Sequence, residues 1–388
     1  RANFMNRNDK TLIASPYSSY QKWRDEKPIW WSDGDLKGWV LSRYDDVRTV
    51  MKDAKTFSSK SMGEMESQTV ALPLLTDDPP RHTQLRAIVN TAFTTRTLKV
   101  MESGVKDLVE ELLDAMSGKS VVDISAEFTG PLPVTVIAHM MGIPAERADD
   151  FRRWSDALTG TTKSQDVAER MPLVMEMAGY FTSLIPERRE NPGKDLVSEV
   201  VNAEVDGESL NDQDIAGFCM LMLIAGNETT TSVLASLLNY LADDPETWQE
   251  LRENPDKIDA AIEEILRYDA PVQWVNRKAT RDVEFHGQTI KAGEPVYVFM
   301  GSANRDPRHY EHADEFRLDR GRSDHHSFGH GIHFCIGAPL GRLEARYAME
   351  GLLRRYKSIS HAQSAMNERT HSTMLRGFHH LWLDLESA

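Results

Sequence analysis

The chain has 388 residues, of which 40% are hydrophobic and 27% charged, proportions of a globular protein that exclude wholesale disorder and collagen-like structure. Its 60 acidic and 45 basic residues give a net charge of −15, which disfavours binding to a nucleic-acid backbone. The two cysteines, Cys219 and Cys335, are too few for a disulfide framework or a multi-cysteine zinc site.

Hydrophobic periodicity predicts a mainly α-helical protein with a small β region. The first seventy residues combine short apolar alternation at 39–42 with one helix at 44–54. Helical periodicity then dominates as far as residue 269. It predicts helices at 81–93, 97–116, 127–141, 145–158, 166–190, 212–241, 245–253 and 256–268.

After Pro271 the period changes, and 283–290 with 295–299 are predicted to form a hairpin of short strands. A last helix is predicted at 338–357, followed by strand-like alternation in the C-terminal tail. The segments before Arg81 and before Cys335 are long and irregular, which indicates that something organises them. We find no linker, so the prediction is a single domain over 1–388.

No stretch reaches the roughly 20 apolar residues of a membrane span, since the most apolar run, 215–226, is too short. The N-terminus also lacks the hydrophobic core of a signal peptide. We therefore expect a cytoplasmic monomer with neither a membrane nor a nucleic-acid partner.

The segment 328–337 reads Phe-Gly-His-Gly-Ile-His-Phe-Cys-Ile-Gly and directly precedes a predicted helix. Glycines allow a tight turn and close approach of the backbone to a large flat group. The helix N-terminus is expected to lower the pKa of Cys335 and to stabilise its thiolate. The alternative is an ordinary buried cysteine, the usual environment of this residue type, and that is our interpretation of Cys219.

The predicted helix 212–241 would be about 45 Å long, and its centre reads Ala225-Gly226-Asn227-Glu228-Thr229-Thr230. One interpretation is a polar stripe that faces solvent. In the other, the Thr229 hydroxyl bonds back to the Ala225 carbonyl and opens a groove in the helix.

Two motifs carry a resemblance to a known family. Phe328-x-x-Gly331-x-His333-x-Cys335-x-Gly337 resembles the haem-ligand loop of the cytochrome P-450 family, and Ala225-Gly226-x-Glu228-Thr229-Thr230 resembles its oxygen-activating motif. The resemblance implies a P-450-like catalytic domain that holds haem b between the long helix and the cysteine loop. It makes Cys335 the axial ligand of the haem iron and Glu228 with Thr229 the acid–alcohol pair that delivers protons to dioxygen.

Further residues match the family pattern, although each alone would be an ordinary surface residue. The resemblance implies contacts with the haem propionates by His82, Arg86, Arg277 and His333. It also implies a buried ion-pair cluster of Glu264, Arg267 and Arg320 that holds the segment before the cysteine loop.

The implied function is that of a haem-thiolate monooxygenase, which inserts one atom of dioxygen into a small to medium apolar molecule by hydroxylation, epoxidation or O-dealkylation. Ala-Pro-Leu-Gly-Arg-Leu-Glu after the cysteine loop resembles the soluble bacterial type, which takes electrons from NAD(P)H through a ferredoxin reductase and a ferredoxin. Two alternatives are a hydrogen-peroxide-driven peroxygenase and a non-catalytic haem-thiolate sensor. Neither has a use for the Glu228–Thr229 pair.

Two surfaces follow from the resemblance. The substrate pocket is expected to include Ala225, Val272, Trp274, Val275, Phe299 and Met374, although a Trp or Met in this region fits core packing equally well. Helix 338–357 carries five basic and two acidic residues, which suits docking of an acidic ferredoxin. A plain solvated helix explains that charge pattern equally well.

Overall fold

The computed structural model describes residues 5–60, 72–159, 167–321 and 324–388. Within these ranges the α-helices are α1 Lys10–Ala14, α2 Tyr17–Glu26, α3 Tyr44–Lys52, α4 Arg81–Asn90, α5 Thr95–Met116, α6 Pro131–Met140, α7 Ala148–Thr159, α8 Val167–Glu190, α9 Leu196–Val201, α10 Asp212–Ala242, α11 Pro245–Glu253, α12 Ile258–Tyr268, α13 Met300–Ala303 and α14 Ala338–Arg355. Every helix predicted from periodicity is present, whereas α1, α2, α9 and α13 were not predicted.

The fourteen strands in the described ranges are short and form one larger sheet and several small ones. They are β1 Ile29–Asp33, β2 Lys37–Leu41, β3 Phe57–Ser58, β4 Val121–Asp123, β5 Glu204–Val205, β6 Glu208–Ser209, β7 Val275–Ala279, β8 Val283–Phe285, β9 Gln288–Ile290, β10 Pro295–Val298, β11 Tyr356–His361, β12 Glu368–Arg369, β13 Phe378–His380 and β14 Trp382–Ser387. The largest sheet has the order β1-β2-β10-β7-β3.

The predicted hairpin of 283–290 with 295–299 is wrong in its pairing. β8 pairs with β9, Phe285 lying opposite Gln288, so the hairpin closes within the first of those two segments. β10 instead lies between β2 and β7, with Val296 opposite both Trp39 and Arg277. Alternation identifies a strand, but it does not identify the strand that pairs with it.

α10 is the central helix of the core, and most of its side chains are buried. It contacts α6, α7, α8, α12 and α14, so it is apolar around most of its circumference. Among the described helices it alone is long and apolar enough to cross a membrane, and most of that apolar stretch is buried within the protein.

The irregular segment before the cysteine loop is organised by the buried Arg267 of α12. Its guanidinium donates to the backbone carbonyls of Asn304 at 3.0 Å, Ala313 at 2.7 Å and Glu315 at 2.8 Å. A segment with little regular structure must satisfy its backbone groups in another way, and here a single side chain bonds three of its carbonyls. The cysteine loop is thereby fixed beneath α10.

Candidate active site

A cavity of about 280 Å³ lies between the centre of α10 and the cysteine loop. Thr229 of α10 and Cys335 of the loop both line it. Apolar side chains cover most of the remaining wall, among them Ile137, Leu221, Met222 and Met300. The structure therefore brings the two motifs of the sequence to one apolar chamber.

The cysteine loop turns through glycines in the left-handed region of backbone conformation. Gly329 has φ of +74° and Gly331 has φ of +68°, and a Cβ on Gly331 would approach the Met51 carbonyl oxygen to 3.0 Å. The Cys335 amide donates to the Phe328 carbonyl at 2.8 Å, which closes the loop. Cys335 is accessible from the cavity, although the surrounding protein removes it from most of the bulk water.

The expected lowering of the Cys335 pKa is wrong for the thiol without a ligand. Removal from bulk water raises the pKa of Cys335 above its usual value, although the backbone amides of Gly337 and Ala338 and the cation of Arg86 act in the opposite direction. Desolvation of the anion exceeds the stabilisation by the start of α14. A positive charge inside the cavity, such as that of a bound metal centre, would stabilise the Cys335 thiolate and lower its pKa.

The centre of α10 has the distortion that the sequence analysis predicted. The Thr229 hydroxyl donates to the Ala225 carbonyl at 3.0 Å, four residues earlier, which is the bond that bends a helix locally. Gly226 packs against α6, where a Cβ would approach Ile137 to 2.9 Å. A solvent-facing polar stripe does not fit, because Glu228 and Thr230 are both buried.

Glu228 points away from the cavity towards α7. Its Oε1 accepts a hydrogen bond from the Ser155 hydroxyl at 3.0 Å. Burial and the neighbouring Asp156 carboxyl raise the pKa of Glu228 to about 8, since both disfavour its anion. At neutral pH this side chain therefore holds a proton one residue from Thr229.

This proton makes the stability of the protein depend on pH. The folded chain keeps it up to about pH 8. In an unfolded chain a glutamic acid side chain loses its proton at about pH 4.3. The free energy of unfolding should therefore fall as pH rises between these values, because the folded state binds more protons there. Glu228→Gln, which cannot ionise, should flatten this fall in urea titrations. Parallel pH profiles of the variant and the wild type would contradict the assignment.

Three of the four residues predicted to contact the haem propionates, Arg86, Arg277 and His333, line the cavity, and the fourth, His82, lies next to His333. The rings of His82 and His333 lie 4.3 Å apart, and His333 Nε2 is 3.0 Å from the Ser59 hydroxyl. The Arg86 guanidinium donates to the Phe334 carbonyl at 2.7 Å. Arg277 is buried on β7.

The electrostatics of these four residues suit the two propionates of haem. Burial lowers the pKa of His333 to about 3, helped by the nearby Arg277, His82 and Arg86, and burial lowers the pKa of Arg277 to about 10. Among the described residues, His82 Nε2 is buried without a hydrogen-bond partner. Buried cationic groups that disfavour one another's charge are stabilised by an anion. The residues present therefore fit haem: Cys335 would bind its iron, and His82, Arg86, Arg277 and His333 would bind its propionates.

Glu264, Arg267 and Arg320 form the expected cluster. Arg267 donates to both carboxylate oxygens of Glu264, at 2.9 and 2.7 Å, and Arg320 Nε donates to Glu264 Oε1 at 2.8 Å. Glu264 and Arg267 are almost fully buried, which distinguishes this pair from a solvated pair at the same helical spacing.

The six residues predicted for the pocket divide into two groups. Ala225, Val272 and Val275 line the cavity, whereas Trp274, Phe299 and Met374 do not. Those three pack together in a separate hydrophobic cluster with the N-terminal segment, in agreement with the alternative of core packing. Sequence reasoning missed Leu221, Met222 and Val233, although they lie one turn from Ala225 or Thr229 on the same helix.

The basic residues proposed for docking on helix 338–357 are already paired with acidic side chains. Arg342 bonds Glu263, Arg346 bonds Asp259 and Glu350, Arg354 and Arg355 bond Glu110, and Lys357 bonds Glu386. Glu344, counted among the surface charges, is buried and lines the cavity. The excess of basic residues is therefore not a free positive surface, because spacing along a helix does not reveal acidic neighbours on α5, α12 and β14.

Comparison with known proteins agrees with this geometry. Residues 167–377 match the model of the family described as "Cytochrome P450". "Cytochrome P450 109" of Bacillus spizizenii is 41% identical over 345 residues, which cover 87% of this chain and 84% of the relative. "Erythromycin C-12 hydroxylase" of Saccharopolyspora erythraea is 36% identical over 368 residues, 92% of this chain and 91% of the relative.

The similarity extends to solved structures. The testosterone complex of CYP109E1 from Bacillus megaterium superposes with a TM-score of 0.90 at 34% identity, and the match covers 97% of this chain and 98% of that one. The fold is therefore shared along nearly the whole length.

Proposed function

The chain belongs to the cytochrome P450 family, whose members use haem b, dioxygen and electrons from NAD(P)H, and we propose that Cys335 is the ligand of its haem iron. It is a monooxygenase of the bacterial type that acts on small organic molecules. The observation that carries the assignment is that Cys335 and Thr229 face the same apolar cavity. Haem, when bound, supplies the iron centre at which dioxygen is activated, and a thiolate ligand favours O–O cleavage.

The chain's own residues would hold the haem in position and supply protons. His82, Arg86, Arg277 and His333 would hold the propionates of the haem. The buried cluster around Glu264 keeps the cysteine loop in place through the segment that precedes it. Thr229 keeps its hydroxyl at the cavity wall by donating to the Ala225 carbonyl, and Glu228 holds the proton that Thr229 passes on.

Thr229→Ala tests this role. Loss of the hydroxyl should leave the haem in place but divert most of the reducing equivalents into hydrogen peroxide, because protons no longer arrive where the O–O bond must break. The measurement is the ratio of product and peroxide formed to NAD(P)H consumed. Thr229→Ser should keep product formation.

Thr231→Ala is the matched control, since Thr231 lies on the same helix and bonds Asn227 at 3.3 Å away from the cavity. Its coupling ratio should equal that of the wild type. Unchanged coupling in Thr229→Ala across several substrates would refute the role of Thr229.

The two alternatives predict different results. A peroxygenase would convert substrate with hydrogen peroxide and gain nothing from dioxygen and reductant. A sensor would bind haem and form no product from either oxidant. The protonated Glu228 beside Thr229 favours the monooxygenase, because only that reaction consumes protons from solvent.

The substrate is proposed to be a neutral, mainly apolar molecule. Similar chains include one bound to testosterone and an erythromycin hydroxylase. None of the charged side chains that line the cavity is on α10 or in the segment 271–275, so nothing there compensates a buried charge. A binding screen with steroids and macrolides, read from the spin-state shift of the haem, would identify the class.

The electron donor is proposed to be a small acidic ferredoxin that docks beside the cysteine loop, in a cytoplasmic setting. Ile332 and Phe334 are exposed on this loop, and Gly331 packs against Lys52 at the end of α3. Within the described ranges neither Arg48 nor Lys52 forms an ion pair with a carboxylate. These two cations, with Ile332 and Phe334, form a surface suited to an acidic partner.

Lys52→Glu should slow reduction of the haem by ferredoxin several-fold at low ionic strength. The difference should shrink as salt rises, because salt screens charges at a docking rim. The measurement is the stopped-flow reduction rate against ferredoxin concentration. Lys194→Glu, an exposed lysine between α8 and α9, is the control and should behave as the wild type; equal slowing by both variants would place docking elsewhere.

A further inference from the structure

Helix α2, near the N-terminus, carries three polar side chains on the face that it turns towards the protein interior. Tyr17, Tyr20 and Arg24 are spaced three and four residues apart, so they share one side of the helix. Tyr20 is 1% exposed and Arg24 is 2% exposed. Polar groups that are buried need hydrogen-bond partners, and each of these three finds its partner in a segment that borders the cavity.

The central contact of this face is a bond between Tyr20 and the buried amide of Gln273. The Tyr20 hydroxyl donates to Gln273 Oε1 at 2.8 Å, and Gln273 Nε2 donates to the Ala270 carbonyl at 2.6 Å. The Gln273 carbonyl accepts from the Gly301 amide at 3.0 Å. A Cβ on Gly301 would collide with the Gln273 amide, so α13 lies directly against it. Gln273 therefore joins α2 to α13 and to the segment 271–275.

The two elements that Gln273 joins to α2 supply part of the cavity wall. Pro271, Val272 and Val275 line the cavity from the segment 271–275, and Met300 lines it from the start of α13. Gln273 is not among the described residues that line the cavity, because its side chain faces α2. The apolar side chains thus face the cavity, and the polar side chain behind them anchors their backbone.

Two further contacts of α2 reach the same elements. Arg24 Nη1 donates to the Ser302 carbonyl at 3.0 Å and to the Ser302 hydroxyl oxygen at 3.1 Å, and Ser302 lies on α13. The Tyr17 hydroxyl donates to Asp269, the residue that ends α12 shortly before Pro271. Three residues of one helix therefore hold both elements of this part of the wall.

We propose that α2 determines which molecules fit the cavity, with Tyr20 and Gln273 as positioning residues for its wall. This rests on the proposed function and extends it to the selection of substrate. Val272, Val275 and Met300 would contact the substrate, whereas Tyr20 and Gln273 fix where the backbone of those residues lies. A displacement of about 1 Å in such a wall alters the fit of an apolar molecule, because packing contacts weaken steeply with distance.

The polar character of this anchor is what makes it specific. Trp274 and Phe299 pack with Tyr20 in one hydrophobic cluster, and such apolar contacts tolerate several arrangements of similar volume. A hydrogen bond restricts both distance and direction. A buried amide that loses its partner is also costly, so the arrangement in which Tyr20 bonds Gln273 is strongly preferred.

Tyr20→Phe tests the proposal in the haem-loaded protein, because it removes one hydroxyl and almost no packing volume. The probes are imidazole and N-phenylimidazole, which both bind haem iron through a nitrogen, and only the second is large enough to contact the cavity wall. Spectral titrations give the two dissociation constants. The ratio of the N-phenylimidazole constant to the imidazole constant should rise about three- to tenfold, the range that corresponds to one buried hydrogen bond. An unchanged ratio, or equal weakening of both ligands, would overturn the proposal.

Gln273→Met shows whether the two residues act through their shared bond, since Met keeps the length of Gln without its amide. Tyr20→Phe should have no further effect on the ratio when Gln273 is already replaced. Tyr240→Phe is the matched control, because its hydroxyl bonds Asp244 at 3.3 Å beside the end of α10, away from this wall. Its ratio should equal that of the wild type. Additive effects of Tyr20→Phe and Gln273→Met would contradict a shared role.

A second readout requires no ligand. The Gln273 amide donates to the Met374 carbonyl at 2.7 Å, and the Gly301 amide donates to the Gln273 carbonyl. Tyr20→Phe should speed hydrogen exchange in the peptides that contain these two amides, because the wall opens locally more often. Peptides around Cys335 should exchange as in the wild type. Unchanged exchange at Gln273 and Gly301 would refute the anchoring role of Tyr20.

Failure of this proposal can be told apart from failure of the proposed function. If the wild type forms product and Thr229→Ala uncouples the reaction, the monooxygenase assignment stands whatever Tyr20→Phe shows. If the wild type forms no product with dioxygen and reductant, the proposed function itself fails. Hydrogen exchange then still reports whether Tyr20 anchors the segment that contains Gln273.

Discussion

Cys335→His is expected to abolish dioxygen-driven product formation while the protein still folds and binds haem. Nothing else in the described ranges presents a thiol to the cavity, because Cys219 is buried in the α10 core. The glycine turns hold residue 335 at the cavity, so an imidazole there can still bind iron through nitrogen. A nitrogen ligand donates less electron density than a thiolate and does not favour O–O cleavage to the same degree.

Cys219→Ala is the matched control for this substitution. It removes a thiol from a packed core position and leaves the cavity intact, so it should cost some stability and no activity. The measurement is product formed per haem, with haem content determined separately. Turnover by Cys335→His at the wild-type rate would show that the thiolate is not the working ligand.

Glu264→Ala is expected to lower the free energy of unfolding by about 3–5 kcal/mol, the cost of leaving a buried charge without its partner. Arg267 is fully buried and would lose both of its carboxylate contacts. Arg320 would lose its carboxylate partner as well. Because Arg267 also bonds three carbonyls of the irregular segment, the variant should retain haem less well than the wild type.

The control for this large effect is Glu350→Ala on α14. Glu350 pairs with Arg346 four residues earlier, at 3.0 Å and with both side chains partly exposed. Such a surface pair contributes about 0.3–0.5 kcal/mol. Urea unfolding followed by circular dichroism compares the two, and midpoints shifted equally would mean that the Glu264 cluster is no more than an ordinary surface pair.

The sequence predicted the parts of the molecule whose signals are local. Periodicity identified α10 and α11 nearly to the residue, because one buried face repeats along each helix. The Thr229 bond to the Ala225 carbonyl was also predictable, since it spans a single turn. The short α1 was missed, although Asp9 caps it by accepting from the amides of Thr11 and Leu12.

Other features depend on contacts between distant segments, which one sequence does not reveal. β10 pairs with β2, more than 250 positions away in the chain, and no local pattern indicates this. Trp274 and Phe299 are apolar and close in sequence to cavity residues, yet they face the N-terminal segment. Asp156 has no motif around it, and only the packing of α7 on α10 brings it to Glu228.

The same limit applies to charge. Counting basic residues on helix 338–357 suggested a positive surface, but their partners lie on other elements. Within the described ranges Arg48 and Lys52 on α3 have no such partner, and no pattern in the sequence identifies them. Charge patterns along one helix therefore predict a surface only when the neighbouring elements are known.

The most direct test of the account is the absorption spectrum of the haem-loaded protein after reduction and addition of carbon monoxide. If the Cys335 thiolate binds the iron, the Soret band should appear at the long-wavelength position of a thiolate-ligated complex, and Cys335→His should lose it. A wild-type band at the shorter wavelength of nitrogen ligation would contradict the assignment of Cys335.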